Sequence, residues 1–130
     1  NSNNTNRGVD KMIDLEKLQK EIYQNKVNKR FNTTDINKEF CLTYGELAEA
    51  YEAWRKKKND LGEELADVAI YLLGMSEILG INLAEEIQKK VYKNEKREYK
   101  VINGVNTRVK ECDKTRWKYV KNVIITVKYN

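Results

Sequence analysis

No histidine and no proline occur in the 130 residues, and cysteine occurs only twice. Without histidine, Ser–His–Asp and Cys–His nucleophilic machinery cannot be assembled, nor can the Glu-x-x-His element of a ferritin-like di-iron site. Without proline, nothing kinks or breaks a helix from within. Cys41 and Cys112 form no C-x-x-C or zinc-type spacing, which argues against a disulfide framework or a structural zinc and fits a reducing, cytoplasmic setting. The longest apolar stretch, Leu65 to Met75, is interrupted by Asp67 and is too short to span a bilayer, so a soluble protein with no membrane partner is expected.

Charged residues make up 35% of the chain, a proportion that, with no proline, favours long uninterrupted helices and an all-α fold. The net charge is +5, but the basic residues concentrate between Lys89 and Lys128 and the acidic ones in the middle. That distribution suits an anionic ligand bridged by a metal, and suits a solvated surface as well. Residues 1–9 are polar, begin without Met, and read as a processed tail.

Apolar spacing predicts a first helix over 10–29, with Ile13, Leu15, Leu18, Ile22 and Tyr23 on one side. Thr34 or Asp35 is a natural N-cap for a second helix reaching about Lys58, along which Phe40, Tyr44, Leu47, Tyr51 and Trp54 form one stripe. A polar turn at 58–60 lets a third helix, 61–79, fold back antiparallel on the second. Gly80 ends it as a left-handed C-cap, and Asn82 with Glu85 resembles a capping box for a fourth helix to about Tyr99. Residues 10–100 are thus expected to form an antiparallel four-helix bundle, and such bundles often complete their core with a second copy. Residues 101–130 read as an appendage. Asn103-Gly104 between Ile102 and Val105 is a strong hairpin signal, and Val123 to Val127 could add a strand.

Two carboxylate pairs stand out. Glu46 with Glu49, and Glu64 with Asp67, are each three apart, so each pair projects from one helical face. Acidic pairs of this kind are common on solvated helices. The third helix is different, because Leu61, Leu65, Val68, Ala69, Leu72, Leu73 and Met75 cover so wide an arc that it reads as buried nearly all round. Packed carboxylates repel, and a cation removes the conflict. All-oxygen ligands favour Mg²⁺, with Mn²⁺ as a substitute, and the usual work of such an ion is phosphate chemistry. On the fourth helix Lys90, Lys93, Asn94 and Arg97 line one stripe, either a phosphate-binding face or an ordinary basic helix end.

The stretches Gly45-Glu-Leu-Ala-Glu-Ala-Tyr-Glu-Ala-Trp-Arg55 and Gly62-Glu-Glu-Leu-Ala-Asp-Val-Ala-Ile-Tyr-Leu-Leu73 resemble the MazG-like nucleotide pyrophosphohydrolases, whose signature is E-E-x-x-E followed by E-x-x-D. Gly-Ile-Asn-Leu at 80–83 and Lys-Asn-Glu-Lys-Arg-Glu-Tyr at 93–99 look like later family elements, so the likeness runs from about Leu18 to Val105. It implies an all-α homodimer or homotetramer that uses Mg²⁺ to cleave nucleoside triphosphates to monophosphate and pyrophosphate. By the same resemblance Glu46, Glu49, Glu64 and Asp67 hold metal, with Glu49 and Glu46 acting in catalysis. Lys93, Asn94 and Arg97 would contact phosphates, with Tyr99 near them at the substrate, and Trp54 would stack on a base or fill core. Two departures are visible. Gly45 stands where the signature has its first Glu, with Glu63 or Glu52 as candidates to compensate, and Asn82 replaces the usual Asp. Which base is read, or whether the substrate is phosphoribosyl-ATP, is left open. The alternative to an enzyme is a non-catalytic helical oligomer whose basic C-terminal part, with Trp117, Tyr119 and Tyr129, binds nucleic acid.

Overall fold

The computed structural model describes residues 12–111. It contains four helices, α1 (Leu15–Asn28), α2 (Ile36–Arg55), α3 (Leu61–Ile78) and α4 (Leu83–Lys96), then two strands, β1 (Glu98–Ile102) and β2 (Val105–Lys110). The all-α class with a terminal hairpin is therefore as the sequence implies. The candidate strand at Val123 to Val127, Cys112, and the aromatics Trp117, Tyr119 and Tyr129 lie outside the described residues.

The helices start and stop by local chemistry. Asp14 and Asp35 cap α1 and α2, each carboxylate accepting the backbone N–H three residues on at 3.1 Å. Asn32 holds the entry to α2, its side-chain oxygen accepting from the Asp35 N–H and its amide donating to the Asp35 carbonyl. The first three helices end alike, in a residue of positive φ followed by a six-to-one hydrogen bond: Arg30 (φ 58°), Lys57 (φ 53°) and Gly80 (φ 69°), then Phe31 to Lys26, Lys58 to Ala53 and Ile81 to Ser76. This is the Schellman closure. Only one of the three uses glycine, so only that terminus is marked in the sequence.

Two compact units are formed, one through Leu83 and one from Ala84 onward. In the first, α3 packs against both α1 and α2. Gly74 lets α1 come close, since a Cβ there would sit 3.3 Å from both Ile22 Cγ2 and Lys26 Cδ. The buried apolar side chains are Ala50, Ala53, Leu73 and Met75, and beside them lie buried polar ones, Gln19, Lys26, Glu39 and Ser76. Gln19 fastens the end of α3 to α1, donating to Glu77 Oε2 at 2.8 Å and to the Ile81 carbonyl at 2.7 Å. Lys26 donates to Glu39 Oε1 at 2.7 Å, and Asn32 donates to the same oxygen at 3.0 Å.

Burial of α3 differs from the sequence expectation. Only Leu73 to Ser76 are fully buried, while Leu65, Ile70 and Leu72 are 40–51% exposed. The reason is the number of neighbours: α1 and α2 cover part of a surface that is apolar nearly all round. The α2 stripe is likewise uncovered, with Phe40, Tyr44, Leu47, Tyr51 and Trp54 all exposed.

In the second unit, α4 leads into the antiparallel pair β1–β2, which closes at Ile102↔Val105. Asn103 and Gly104 both have positive φ, 51° and 76°, the geometry of a type I′ turn.

Gly45 lies inside α2, and a Cβ added there meets nothing within 4 Å. Gly45→Ala is therefore expected to stabilise the protein by about 0.5–1 kcal/mol, by lowering the entropy of the unfolded chain, as read by urea unfolding.

Candidate metal centre

α2 and α3 bring Glu46, Glu64 and Asp67 together. Each of the three offers a carboxylate oxygen such that these oxygens all lie within 4.8 Å of one another, and all three residues are half-buried. One side chain comes from α2 and two, a turn apart, from α3. Glu49 is exposed at the edge of this cluster, within hydrogen-bonding reach of Glu46 and close enough to Glu64 to act on its charge.

The electrostatics are those of anions held together at a cost. Burial, followed by the charges of Glu49 and Asp67, holds the Glu46 carboxyl above its usual 4.5. Burial, then Glu49, Asp60 and Asp67, does the same for Glu64. Oε2 of Glu64 and Oδ1 of Asp60 are buried and meet no hydrogen-bond partner. A buried carboxylate oxygen left without a donor is destabilising, and a divalent cation is the group that satisfies several at once. The residues thus fit a hard cation: the donors are all carboxylate oxygens, and one oxygen of Glu64 is buried without a hydrogen-bond partner.

Folding must bring these carboxylates together, and the sign of the resulting pH dependence follows. Because both folded pKa values lie above 4.5, the metal-free folded state holds more protons than the unfolded chain just above that pH. Its stability falls as pH rises through the window between 4.5 and the raised values. Cation binding needs the deprotonated forms, so the rise in melting temperature produced by Mn²⁺ at about pH 7.5 should shrink through the same window on acidification. Differential scanning fluorimetry across pH checks this.

Tyr71 extends the site along α3. It follows Asp67 by four residues and shares its face. Burial first, then the charges of Glu46, Glu39, Asp67 and Glu49, push the phenol up from its usual 10.0, and Lys26 Nζ lies 5.5 Å from the centre of its ring. Tyr71, Asp60 and the Lys26–Glu39 pair were missed in the sequence, although the i, i+4 spacing from Asp67 to Tyr71 was available as a signal.

The other predicted residues fall in several places. Of the two candidates to replace the missing carboxylate at 45, Glu52 is engaged by Arg55 at 3.2 Å and Lys56 at 3.3 Å, whereas Glu63 adds its charge to those acting on Glu64. Trp54 is 63% exposed, so it does not fill the core of the chain; its ring lies 6.1 Å from that of Tyr51. Lys90, Lys93 and Asn94 lie on α4, with Arg97 just beyond it and Tyr99 in β1. Arg97 donates through Nε to Glu111 at 2.7 Å and through a terminal nitrogen to Asn94 Oδ1 at 3.0 Å, and it is also hydrogen-bonded to Tyr99. Of the predicted stripe, Asn94 and Arg97 thus share one local hydrogen-bond network with Tyr99 and Glu111.

A model of the MazG-like family matches residues 38–111, which take in both carboxylate pairs and run to the end of the hairpin. The chain belongs to the MazG-like family. Neither the curated proteins nor the solved structures contain a match to it. The MazG-like family is generally one of hydrolases, of nucleotide pyrophosphohydrolase type. Among the described residues of this MazG-like chain, no helix is long and apolar enough to cross a membrane.

Proposed function

We propose that this MazG-like protein is a Mg²⁺-dependent nucleoside triphosphate pyrophosphohydrolase of the cytoplasm, with Mn²⁺ able to replace Mg²⁺. The observation that supports this most is the convergence of Glu46, Glu64 and Asp67 from two helices, with one Glu64 oxygen buried and unpartnered. Glu46, Glu64 and Asp67 would hold the ion and Glu49 would complete the set. Bound there, Mg²⁺ supplies positive charge against the phosphate oxygens and makes a nearby water more acidic.

Glu49 is the residue suited to take the proton of the attacking water, because it is exposed beside the cluster and is not among the three that converge. Water adds to phosphorus, the bond between the α-phosphorus and the bridging oxygen breaks, and pyrophosphate leaves with that oxygen. Glu46 lies within hydrogen-bonding reach of Glu49 and would keep it oriented. Lys90, Lys93, Asn94, Arg97 and Tyr99 are the proposed phosphate contacts of the second unit, with Arg97 exchanging the Glu111 carboxylate for a phosphate oxygen. Trp54 is a proposed base-stacking residue.

The working form is proposed to be a homodimer or homotetramer. Phe40, Tyr44, Leu47, Tyr51 and Trp54 recur at alternating four- and three-residue steps and are 44–68% exposed, an apolar seam of the kind that pairs helices across an interface. Leu47→Glu is expected to shift the protein to monomer in sedimentation velocity, and an unchanged mass would remove α2 from the interface.

The test of the activity is pyrophosphate release from the natural nucleoside triphosphates with and without Mg²⁺. Release that requires the ion is the expected result. No release from any of them would overturn the assignment.

A further inference from the structure

In the second unit one carboxylate is shared by two guanidinium groups. Arg97, which precedes β1, donates through Nε to Glu111 Oε1 at 2.7 Å. Arg108, in β2, has a terminal nitrogen 3.4 Å from the other oxygen, Oε2. The hairpin makes this meeting possible. Tyr99 and Arg108 are partners across the two strands and so share one face of the pair, and the Tyr99 side chain is also hydrogen-bonded to Arg97. Asn94 steadies the guanidinium from α4, its Oδ1 accepting from a terminal nitrogen of Arg97 at 3.0 Å.

The members of this network differ in how firmly they are held. The Arg97 side chain is only 13% exposed, whereas those of Glu111 and Arg108 are 45% and 46% exposed. An ion pair whose carboxylate reaches water is screened, so an anion of higher charge can take the place of that carboxylate at little cost. Charge favours the exchange. Two guanidinium ions face a single carboxylate here, and the three groups together stay positive with Glu111 in place. Guanidinium forks bind phosphate oxygens as they bind carboxylate oxygens. Glu111, with a different arginine on each oxygen, therefore stands where a phosphate fits.

We infer that Glu111 is an internal latch on an anion site formed by Arg97 and Arg108, that a diphosphate group opens the site by displacing the carboxylate, and that the returning carboxylate expels pyrophosphate. Arg108 thereby joins the phosphate contacts. The inference deepens the proposed pyrophosphohydrolase activity and rests on that reading for the identity of the anion. Because Glu111 follows Arg108 by three residues on the same chain, it competes at a fixed effective concentration however dilute the protein is. While closed, the latch lowers the apparent affinity for phosphate by the fraction of molecules that are open. That suits a group which has to be let go once its bond is cut.

The deciding experiment titrates the full chain, without metal, with inorganic pyrophosphate, following the Nε–H resonances of the arginines and the dissociation constant. The Arg97 and Arg108 signals should both move and saturate. Glu111→Gln should bind pyrophosphate at least about fivefold tighter than wild type, and Glu111→Ala, which removes every hydrogen bond of the latch, at least as tightly. Adding Arg108→Gln to Glu111→Gln should weaken binding again by about fivefold or more. Positions 108 and 111 are half exposed, so neither substitution opens a buried core. Affinity unchanged or weakened in both Glu111 variants, a double variant equal to Glu111→Gln alone, or unmoved arginine signals would each overturn the inference. Pyrophosphate release from nucleoside triphosphates, assayed in parallel with Mg²⁺, separates the two claims. Tighter pyrophosphate binding in the Glu111 variants with no release from wild type counts against hydrolysis and for the latch. Release from wild type with a pyrophosphate affinity indifferent to Glu111 counts against the latch alone.

Discussion

Asp67→Ala should abolish divalent-ion-dependent pyrophosphate release and at the same time raise the melting temperature of the metal-free protein. The two effects have one cause. Asp67 converges with Glu46 and Glu64, and its charge is among those that hold both of their carboxyls above the usual value. Removing it relieves repulsion in the metal-free state, so the melting temperature without metal should rise. It also removes one of the three converging oxygen donors, and the loss of activity should reach about a thousandfold, the order found when a group that stabilises the transition state is deleted. Pyrophosphate release and scanning fluorimetry with and without Mn²⁺ read both effects on one sample. A variant less stable than wild type without metal would mean that Asp67 is a structural residue, and a variant of unchanged activity would remove it from the site.

The second large effect is expected at Lys26. Its ammonium and the Glu39 carboxylate are 2.7 Å apart with side chains only 11% and 1% exposed, and Asn32 donates to the same Glu39 oxygen. Lys26→Met leaves that buried carboxylate without its cation while keeping most of the side-chain volume, and breaking such a pair from one side costs about 3–5 kcal/mol. For a chain of this size that is a large part of the total stability. The double variant Lys26→Met/Glu39→Leu should recover most of the loss, because neither charge is then buried alone. Urea unfolding of the single and double variants measures the difference. The pair lies between α1 and the start of α2, and Lys26 Nζ also lies 5.5 Å from the centre of the Tyr71 ring.

How much of this was legible in the sequence depended on whether the determinant was local. Asp35, Asn103-Gly104 and Gly80 announce their cap, turn and helix end because each acts on its own backbone within a few residues. Arg30 and Lys57 take up the same positive φ as Gly80 yet carry no such mark, since what holds them there is the closure of the helices they terminate. The two acidic pairs were legible for the same local reason, three-residue spacing on a helix.

Which acids meet was decided only by the packing of α2 on α3. That packing sets Glu46 beside Glu64 and Asp67 and leaves Glu49 at the edge. The reach of the apolar surface was misread for a related reason. Periodicity shows which residues want cover but not which partner supplies it, so α3 was expected to be buried nearly all round, whereas one chain covers it in part and leaves the α2 stripe open. The sequence by itself determined the four helices, the hairpin, the family and the all-oxygen character of the site. The tertiary structure decided the convergence of the carboxylates, the burial of Lys26 against Glu39, and the close approach of α1 to α3 at Gly74, because each joins residues that are far apart along the chain and have no local interaction to record their meeting.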